Sequence, residues 1–348
     1  MQGQNNIEIN RFLAHLLHPS AVIDTSYFPA PQIFWDRLVQ LSSGQLVLPA
    51  IYGALKRKKL INHVPVDLVS YLKEITDLNK NRNNSILKQM AFLSGIFNRD
   101  KIDHVFLKGA AILIAKPYEA INERMVGDID ILVSEKDLSR AQQLLINNGY
   151  NVVSKEFNFT KDLDFAKHLK RIVHPNFIAA VEIHRNLLDL TLKKPILSQQ
   201  FLNEKLQNSD GFYIPSKTNL WQHAIFNWQY NDLGMIQNSL AFRSVMDVLY
   251  LEPKDIVDNL ETAPKAIKHF YSLLSLYYDN YTTYFPLNKL RYKWQLSYWL
   301  LYKLNNFYFR LGYLLNIGFI RLDSKTYRKR VLNNPKLLVK KISNFWNK

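Results

Sequence analysis

Arg124-Met-Val-Gly-Asp-Ile-Asp-Ile-Leu-Val133 is the stretch on which the reading of this chain turns. From Asp128 onward, acidic and branched apolar residues alternate, the pattern of a strand whose side chains point to opposite faces with a period of two. Asp128 and Asp130 therefore share one face, with Leu132 beyond them. Ile129, Ile131 and Val133 take the other face and can enter a core. Two carboxylates held a few ångströms apart repel and raise each other's pKa unless a cation neutralises them. A hard divalent cation does this well, because Mg²⁺ prefers a few carboxylates together with substrate phosphate oxygens.

Upstream, His104-Val-Phe-Leu-Lys-Gly109 reads as a short strand stopped by glycine, and Ala110 to Ala115 as a helix. Glycine at such a strand end lets a phosphate approach the backbone, and the helix N-terminus favours negative charge. Lys108 adds a point charge suited to a triphosphate, and Arg124 can do the same or orient an aspartate. Downstream, Asp137 to Asn148 reads as a helix, with Ser134 or Asp137 as cap and Gly149 at its end. Strands are expected at 151–159, 168–174 and 178–184. In Val181-Glu-Ile-His184, Glu182 and His184 share a face. If this strand neighbours 128–133, Glu182 completes a three-carboxylate site, which can hold two metal ions roughly 3.5–4 Å apart for in-line phosphoryl displacement. His184 would then stand beside the metal, as a supporting residue.

Each piece alone has a plainer explanation. A D-x-D pair is common on surface strands, Lys-Gly is uninformative by itself, Glu182 could pair with a surface Lys or Arg, and His184 could be a hydrogen-bonded structural histidine. The combination in this order is what carries the reading.

The flanking sequence is helical. Phe12, Leu16, Leu17 and then Phe34, Leu38, Leu41 recur at helical spacing, and Leu68 to Phe97 is a long run without proline. After Leu190 helices are expected at 219–228, 238–251, 264–284 and 294–317. The expected fold is α/β (α+β): a mixed sheet flanked by helical regions, divided as 1–100 helical, 101–190 core and 191–348 helical. With 11 Gly and 13 Pro in 348 residues, the chain has about half the usual turn-forming content. It has no cysteine, which excludes disulfides, zinc–thiolate sites and a cysteine nucleophile. Met1 to Glu8 carries no basic or apolar signal run, and no stretch of about 18 uncharged apolar residues occurs. A cytoplasmic protein is expected.

The net charge is +16, and it is unevenly placed. Residues 286–348 hold fourteen Lys or Arg and one acid, Asp323, interleaved with aromatics such as Trp294, Trp299 and Tyr308. Three readings stand for this region: packed helices with a basic outer face, a groove for RNA or another polyanion, and a face for an anionic membrane surface, which would make the protein peripheral at the membrane.

Leu107-Lys-Gly-Ala-Ala111, Tyr118, the 124–133 stretch, Gly149-Tyr150 and Val181-Glu-Ile-His184 together resemble the uncharacterised bacterial nucleotidyltransferase family, within the DNA polymerase beta-like nucleotidyltransferase superfamily. The resemblance extends upstream to Asn81-Arg-Asn-Asn-Ser-Ile-Leu87 and downstream to His223 and Arg243-Ser-Val-Met-Asp247, over roughly residues 10–255. It implies a minimal nucleotidyltransferase core, and transfer of a nucleoside monophosphate from an NTP to an acceptor hydroxyl or phosphate with release of pyrophosphate. It implies that Asp128 and Asp130 bind two Mg²⁺ ions and that Glu182 is the third carboxylate and a candidate base. Lys108, Gly109, Ala110 and Arg124 would contact the nucleotide, with His184 behind them. The superfamily's turn is usually Gly-Gly or Gly-Ser, whereas here Ala110 follows Gly109. The unknown acceptor is expected to be a sugar, lipid-linked or peptide substrate. The alternatives are a tRNA-modifying toxin of the same superfamily and an inactive, nucleotide-binding relative. For His223, Arg243 and Asp247, tying helices together is the first expectation and lining the cleft the second.

Overall fold

Asp128–Val133 forms strand β2, the centre of the sheet. Ile129, Ile131 and Val133 are buried as the alternation requires. Strand β1 (His104–Leu107) pairs antiparallel with it, with Leu107 opposite Asp130. Strands β3 (Asn151–Val152), β4 (Ile172–Val173) and β5 (Ala180–His184) complete a five-stranded mixed sheet of order β1-β2-β5-β4-β3. Only β2 and β5 run parallel, and their register sets Asp130 opposite Glu182. The computed structural model describes residues 2–23, 28–153, 167–188, 196–232, 234–237, 239–253, 260, 262–278 and 281.

The N-terminal region is helical as read: α1 (Gln2–Leu17), α2 (Gln32–Gly44), α3 (Leu48–Arg57) and α4 (Val66–Arg99). Helix α5 (Lys108–Ala115) follows β1 without a break, so it begins at Lys108 and not at Ala110. Helix α6 (Leu138–Asn147) lies between β2 and β3. It ends where Gly149 takes φ +88°, a conformation in which a Cβ would also meet the His174 ring at 2.8 Å. The expected strand at 168–174 is reduced to a bridge between His168 and His184 and to β4, because the chain there follows β5 only at its two ends. Of the expected strand 151–159, Asn151 and Val152 pair, and the part from 154 lies outside the described residues.

Beyond residue 196 the expectation of an all-helical chain is corrected. Helix α7 (Ser198–Asn203) leads into a hairpin, β6 (Leu206–Gln207) and β7 (Tyr213–Ile214). Its turn is built by the Asn208 side chain, which accepts from the backbone N–H of Asp210 and Phe212, and by Gly211 at φ +83°. This turn chemistry overrode the helical reading. Helix α8 (Lys217–Phe226), a π-helical turn (Asn227–Asn231), α9 (Gly234–Gln237), α10 (Phe242–Leu251) and α11 (Lys265–Leu274) follow. The expected helices at 238–251 and 264–284 are thus shorter, and the one at 294–317 lies outside the described residues. No helix among the described residues is long and apolar enough to cross a membrane.

Helix α4 explains how the sheet and the loop before β2 are held. Its buried side chains include Asn79, Asn83 and Gln89 as well as Ile86, Met90, Leu93 and Phe97. The Asn79 amide donates to the carbonyls of Asn122 and Arg124, and the Asn83 amide to those of Ile121 and Arg124. Arg82 donates to the carbonyls of Val126 and Gly127. Gln89 makes two bonds to the backbone of Ala179: its amide donates to the carbonyl at 2.8 Å, and its oxygen accepts from the N–H at 3.0 Å. An amide side chain thereby continues the hydrogen bonding of β5 into a helix, and fixes the start of that strand. Gln89→Leu leaves a buried N–H and a buried C=O without partners and should cost about 2–3 kcal/mol. Chemical denaturation measures this, and an unchanged midpoint would remove Gln89 from the role.

Candidate active site

Asp130 is the buried centre of the site, 2% exposed. Its Oδ1 accepts from Lys108 Nζ at 2.5 Å and from His184 Nε2 at 2.7 Å. The strands set both contacts. Leu107 faces Asp130 across β1–β2, so the next residue reaches back over it, and His184 lies two residues beyond Glu182 on the neighbouring strand. Lys108 takes φ +48°, a left-handed conformation costly for a residue with a Cβ. The left-handed residue of this turn is thus Lys108 and not the glycine that follows it. A Cβ at Gly109 would meet the Val126 methyls at 3.4 Å, an ordinary contact.

Glu182 lies beside Asp130. Its carboxylate and that of Asp128 share one guanidinium: Arg171 Nη2 donates to Asp128 Oδ2 at 3.0 Å and to Glu182 Oε1 at 3.1 Å. Arg171 sits opposite β5 on the segment that enters β4, and no motif around it singles it out. His168 approaches Glu182 Oε2 at 3.7 Å. The three predicted carboxylates are therefore together on one sheet face.

The electrostatics differ across the three acids. Burial alone would raise the pKa of Asp130, but the Lys108 ammonium and the His184 ring outweigh it and hold the carboxyl well below the usual range. Glu182 is likewise opposed by burial, yet His184 and His168 bring it down to about 2. Asp128 moves up, through burial and repulsion from Asp130 and Glu182, which Lys108 and Arg171 only partly offset.

As to a metal, one ligand atom each from Asp130, Glu182 and His184 lie within 4.8 Å of one another. Two carboxylates suit a hard divalent cation, so Asp130 and Glu182 fit one ion, with His184, whose Nε2 donates to Asp130, as the supporting group behind them. Asp128 stands on the same face, and Arg171 ties it and Glu182 alike, so an ion that takes either carboxylate oxygen competes with that guanidinium.

Asp128, Asp130 and Lys108 open into a cleft of about 190 Å³. One wall carries Lys108, Gly109, Asp128 and Asp130, and the other carries His223 from α8 and Arg243 and Asp247 from α10. Asn227 of the π-helical turn and Lys167 also line it. Arg124, expected to contact the nucleotide or to orient an aspartate, makes a bidentate pair with Asp247: Nε to Oδ1 at 2.7 Å and Nη2 to Oδ2 at 2.8 Å. Tyr118 donates to the same carboxylate. Asp247 is thus at once a tie between helix and loop and part of the cleft lining, as are His223 and Arg243 in lining. The Ala110 methyl is fully buried and lines no part of the cleft, so any contact it makes with a ligand runs through its backbone.

The match that decides kinship covers residues 31–252, the span that holds α2 to α10 and every acid of the site, and it is to the uncharacterised nucleotidyltransferases. The chain belongs to that family. The sheet, its helical flanks and the acids of β2 and β5 are accordingly a nucleotidyltransferase α+β fold, as the motifs implied. No curated protein and no solved structure matches the chain. Membership makes nucleotidyl transfer the general chemistry of this nucleotidyltransferase, with an NTP as substrate and a divalent metal as the usual companion.

Two consequences follow for stability. Asp128→Asn should raise the melting temperature of the metal-free protein, because it removes a charge that its neighbours disfavour, while Asp130→Ala should lower it by several degrees by stranding Lys108 and His184. Differential scanning calorimetry compares them, and an Asp128→Asn protein that melts lower would contradict the charge assignment. Asp130 and Glu182 both sit below their ordinary values, so the stability they supply is complete above about pH 4.5; that of Glu182 is lost as the pH falls toward about 2, and that of Asp130 at lower pH still. A Glu182→Gln variant should show a shallower acid transition in pH-dependent unfolding; an identical curve would argue against the pairing.

Proposed function

We propose that this protein is a Mg²⁺-dependent nucleotidyltransferase that moves a nucleoside monophosphate from an NTP to an acceptor hydroxyl or phosphate, releasing pyrophosphate. One observation carries the reading: Asp128 and Asp130 line a cleft together with Lys108 and Gly109, at the N-terminus of α5, and Glu182 stands opposite Asp130 on the adjacent strand. Mg²⁺ bound by the carboxylates would polarise the phosphate oxygens and favour the ionised acceptor. Two ions require Arg171 to release Asp128. The acceptor oxygen attacks the α-phosphorus, and the bond to the departing pyrophosphate breaks. Lys108, Gly109 and the first N–H groups of α5, that of Ala110 among them, face the charge that develops there. His184 keeps the Asp130 carboxylate ionised and fixed in orientation. Arg124 acts through Asp247, holding α10 against the loop that leads into β2. The acceptor is a sugar, lipid-linked or peptide group, and the protein is cytoplasmic.

A second reading has one observation in its favour. Every carboxylate of the site is already matched by a basic side chain, Lys108, His184 or Arg171, as it would be in an inactive protein that binds nucleotide without turning it over. The RNA-modifying alternative, and attachment to an anionic membrane surface, rest on the basic residues 286–348, which lie outside the described residues.

Pyrophosphate release, followed with each of the four NTPs, Mg²⁺ and a cell extract as acceptor source, separates the first two readings. Release that Asp128→Ala reduces at least about a hundredfold, with unchanged folding, is the expected result. Tight Mg²⁺–NTP binding with no release would favour the inactive binder.

A further inference from the structure

Most of the charged groups around the cleft are matched in pairs. Lys108 is bound to Asp130, Arg124 to Asp247, and Arg171 to Asp128 and Glu182. Two cations break the pattern. Lys167 and Arg243 both line the cleft, both are half-buried, and neither makes an ion pair or side-chain hydrogen bond with any described residue. Burial weakens the charge of each: the pKa of Lys167 moves down through desolvation and the nearby Lys108, and that of Arg243 through desolvation and the nearby Arg124. Asp130 and Asp232 attract Lys167, and Asp247 and Asp232 attract Arg243, without offsetting the desolvation. A cation withdrawn from water without a bonded counter-ion is costly, and an anionic ligand arriving between the two reduces that cost.

A third group is independent of these two. His223, also in the cleft wall, is 1% exposed, and its Nε2 is buried without a hydrogen-bond partner among the described residues. Burial, with Lys108 nearby, drives the ring pKa down to about 3, so it stays neutral at physiological pH. A buried ring nitrogen without a partner is rare in folded proteins and marks a place that a polar ligand can satisfy.

The chain's geometry brings these groups to the cleft from three directions. Lys167 is placed by its carbonyl, which accepts from the N–H groups of Arg185 and Asn186 just beyond β5. Arg243 comes from the first turn of α10, which the Arg124–Asp247 pair holds in place. His223 comes from α8, whose ring packs edge-on against Phe201. Asp128, Asp130 and Lys108 occupy the other wall.

We propose that Lys167 and Arg243 form a cation clamp for the phosphate tail of a nucleoside triphosphate, the part that leaves as pyrophosphate, with the His223 ring as a hydrogen-bonding group beside it. This rests on the nucleotidyltransferase reading and deepens it: the acid cluster would address the reacting phosphate, and the clamp would set the requirement for a triphosphate over a monophosphate. Charge-assisted bonds of this kind orient the leaving group as well as bind it.

The test is isothermal titration of the full-length chain with sodium tripolyphosphate, run without metal, alongside pyrophosphate release from NTPs. Lys167→Met and Arg243→Met remove charge at nearly constant length. Each should weaken tripolyphosphate binding about tenfold, and the double variant more, as expected for loss of a charge-assisted bond. Lys167→Arg should retain most of the affinity, and Lys73→Met, on the exposed face of α4, should match the wild type. Circular dichroism melts confirm that the variants are folded. Variants that bind as the wild type does overturn the clamp and leave the transferase reading standing. A wild type that turns over NTP but does not bind tripolyphosphate also overturns the clamp alone. A wild type that neither binds tripolyphosphate nor releases pyrophosphate overturns both.

Discussion

An ionised carboxylate at the centre of a sheet governs this structure. Desolvating Asp130 costs several kcal/mol unless opposite charge and hydrogen bonds replace the lost water. Lys108 and His184 do so. Both contacts reach into the backbone. Lys108 must adopt a left-handed conformation at the end of β1, and this begins α5 directly at the cleft. His184 must sit level with Leu132 on β5, which the parallel pairing of β2 and β5 provides. Removing Asp130 would therefore disturb more than the acid cluster. It would leave the strand–helix corner and the end of β5 with unmatched polar groups.

Around this centre, polar side chains do work that apolar packing cannot. The loop 121–127 delivers the chain to β2 without secondary structure of its own, so its carbonyls need partners. Asn79, Arg82 and Asn83 supply them from one stripe of α4. On the opposite side, the Arg124–Asp247 pair, joined by Tyr118, binds that same loop to α10. The helical regions are thus structural parts of the site: one fixes the loop and the other closes the cleft.

The site is also built against its own stability at one point. Asp128 pays no part in the core and is held beside two other acids, where its charge is disfavoured. Such a residue destabilises the free protein and is useful only when a cation or a proton arrives, the usual relation between a reactive site and the fold that carries it. Asp130 and Glu182 are the reverse case: their charge is already stabilised by fixed neighbours. Lys167 and Arg243 differ from both, since neither is bonded to a carboxylate among the described residues.

The alternation in Asp128–Val133 and in Val181–His184 determined, by itself, which residues share a face, because a strand's period of two leaves no other assignment. The periodicity of 68–97 did the same for α4, and Gly149 for the end of α6. These are local properties, set by sterics and the hydrophobic pattern within one segment. What the tertiary structure decided was pairing. Nothing in the sequence places Arg171 between Asp128 and Glu182, because that contact joins strands separated by the turn after β4. The commitment of Arg124 to Asp247 spans more than a hundred residues, and the sequence left open whether Arg124 met a phosphate or an acid. The hairpin at 206–214 was missed because its strands are two residues long and show no alternation to read. Local pattern fixed the elements and the acids they carry; the partner of each charge was settled only when distant segments were buried together.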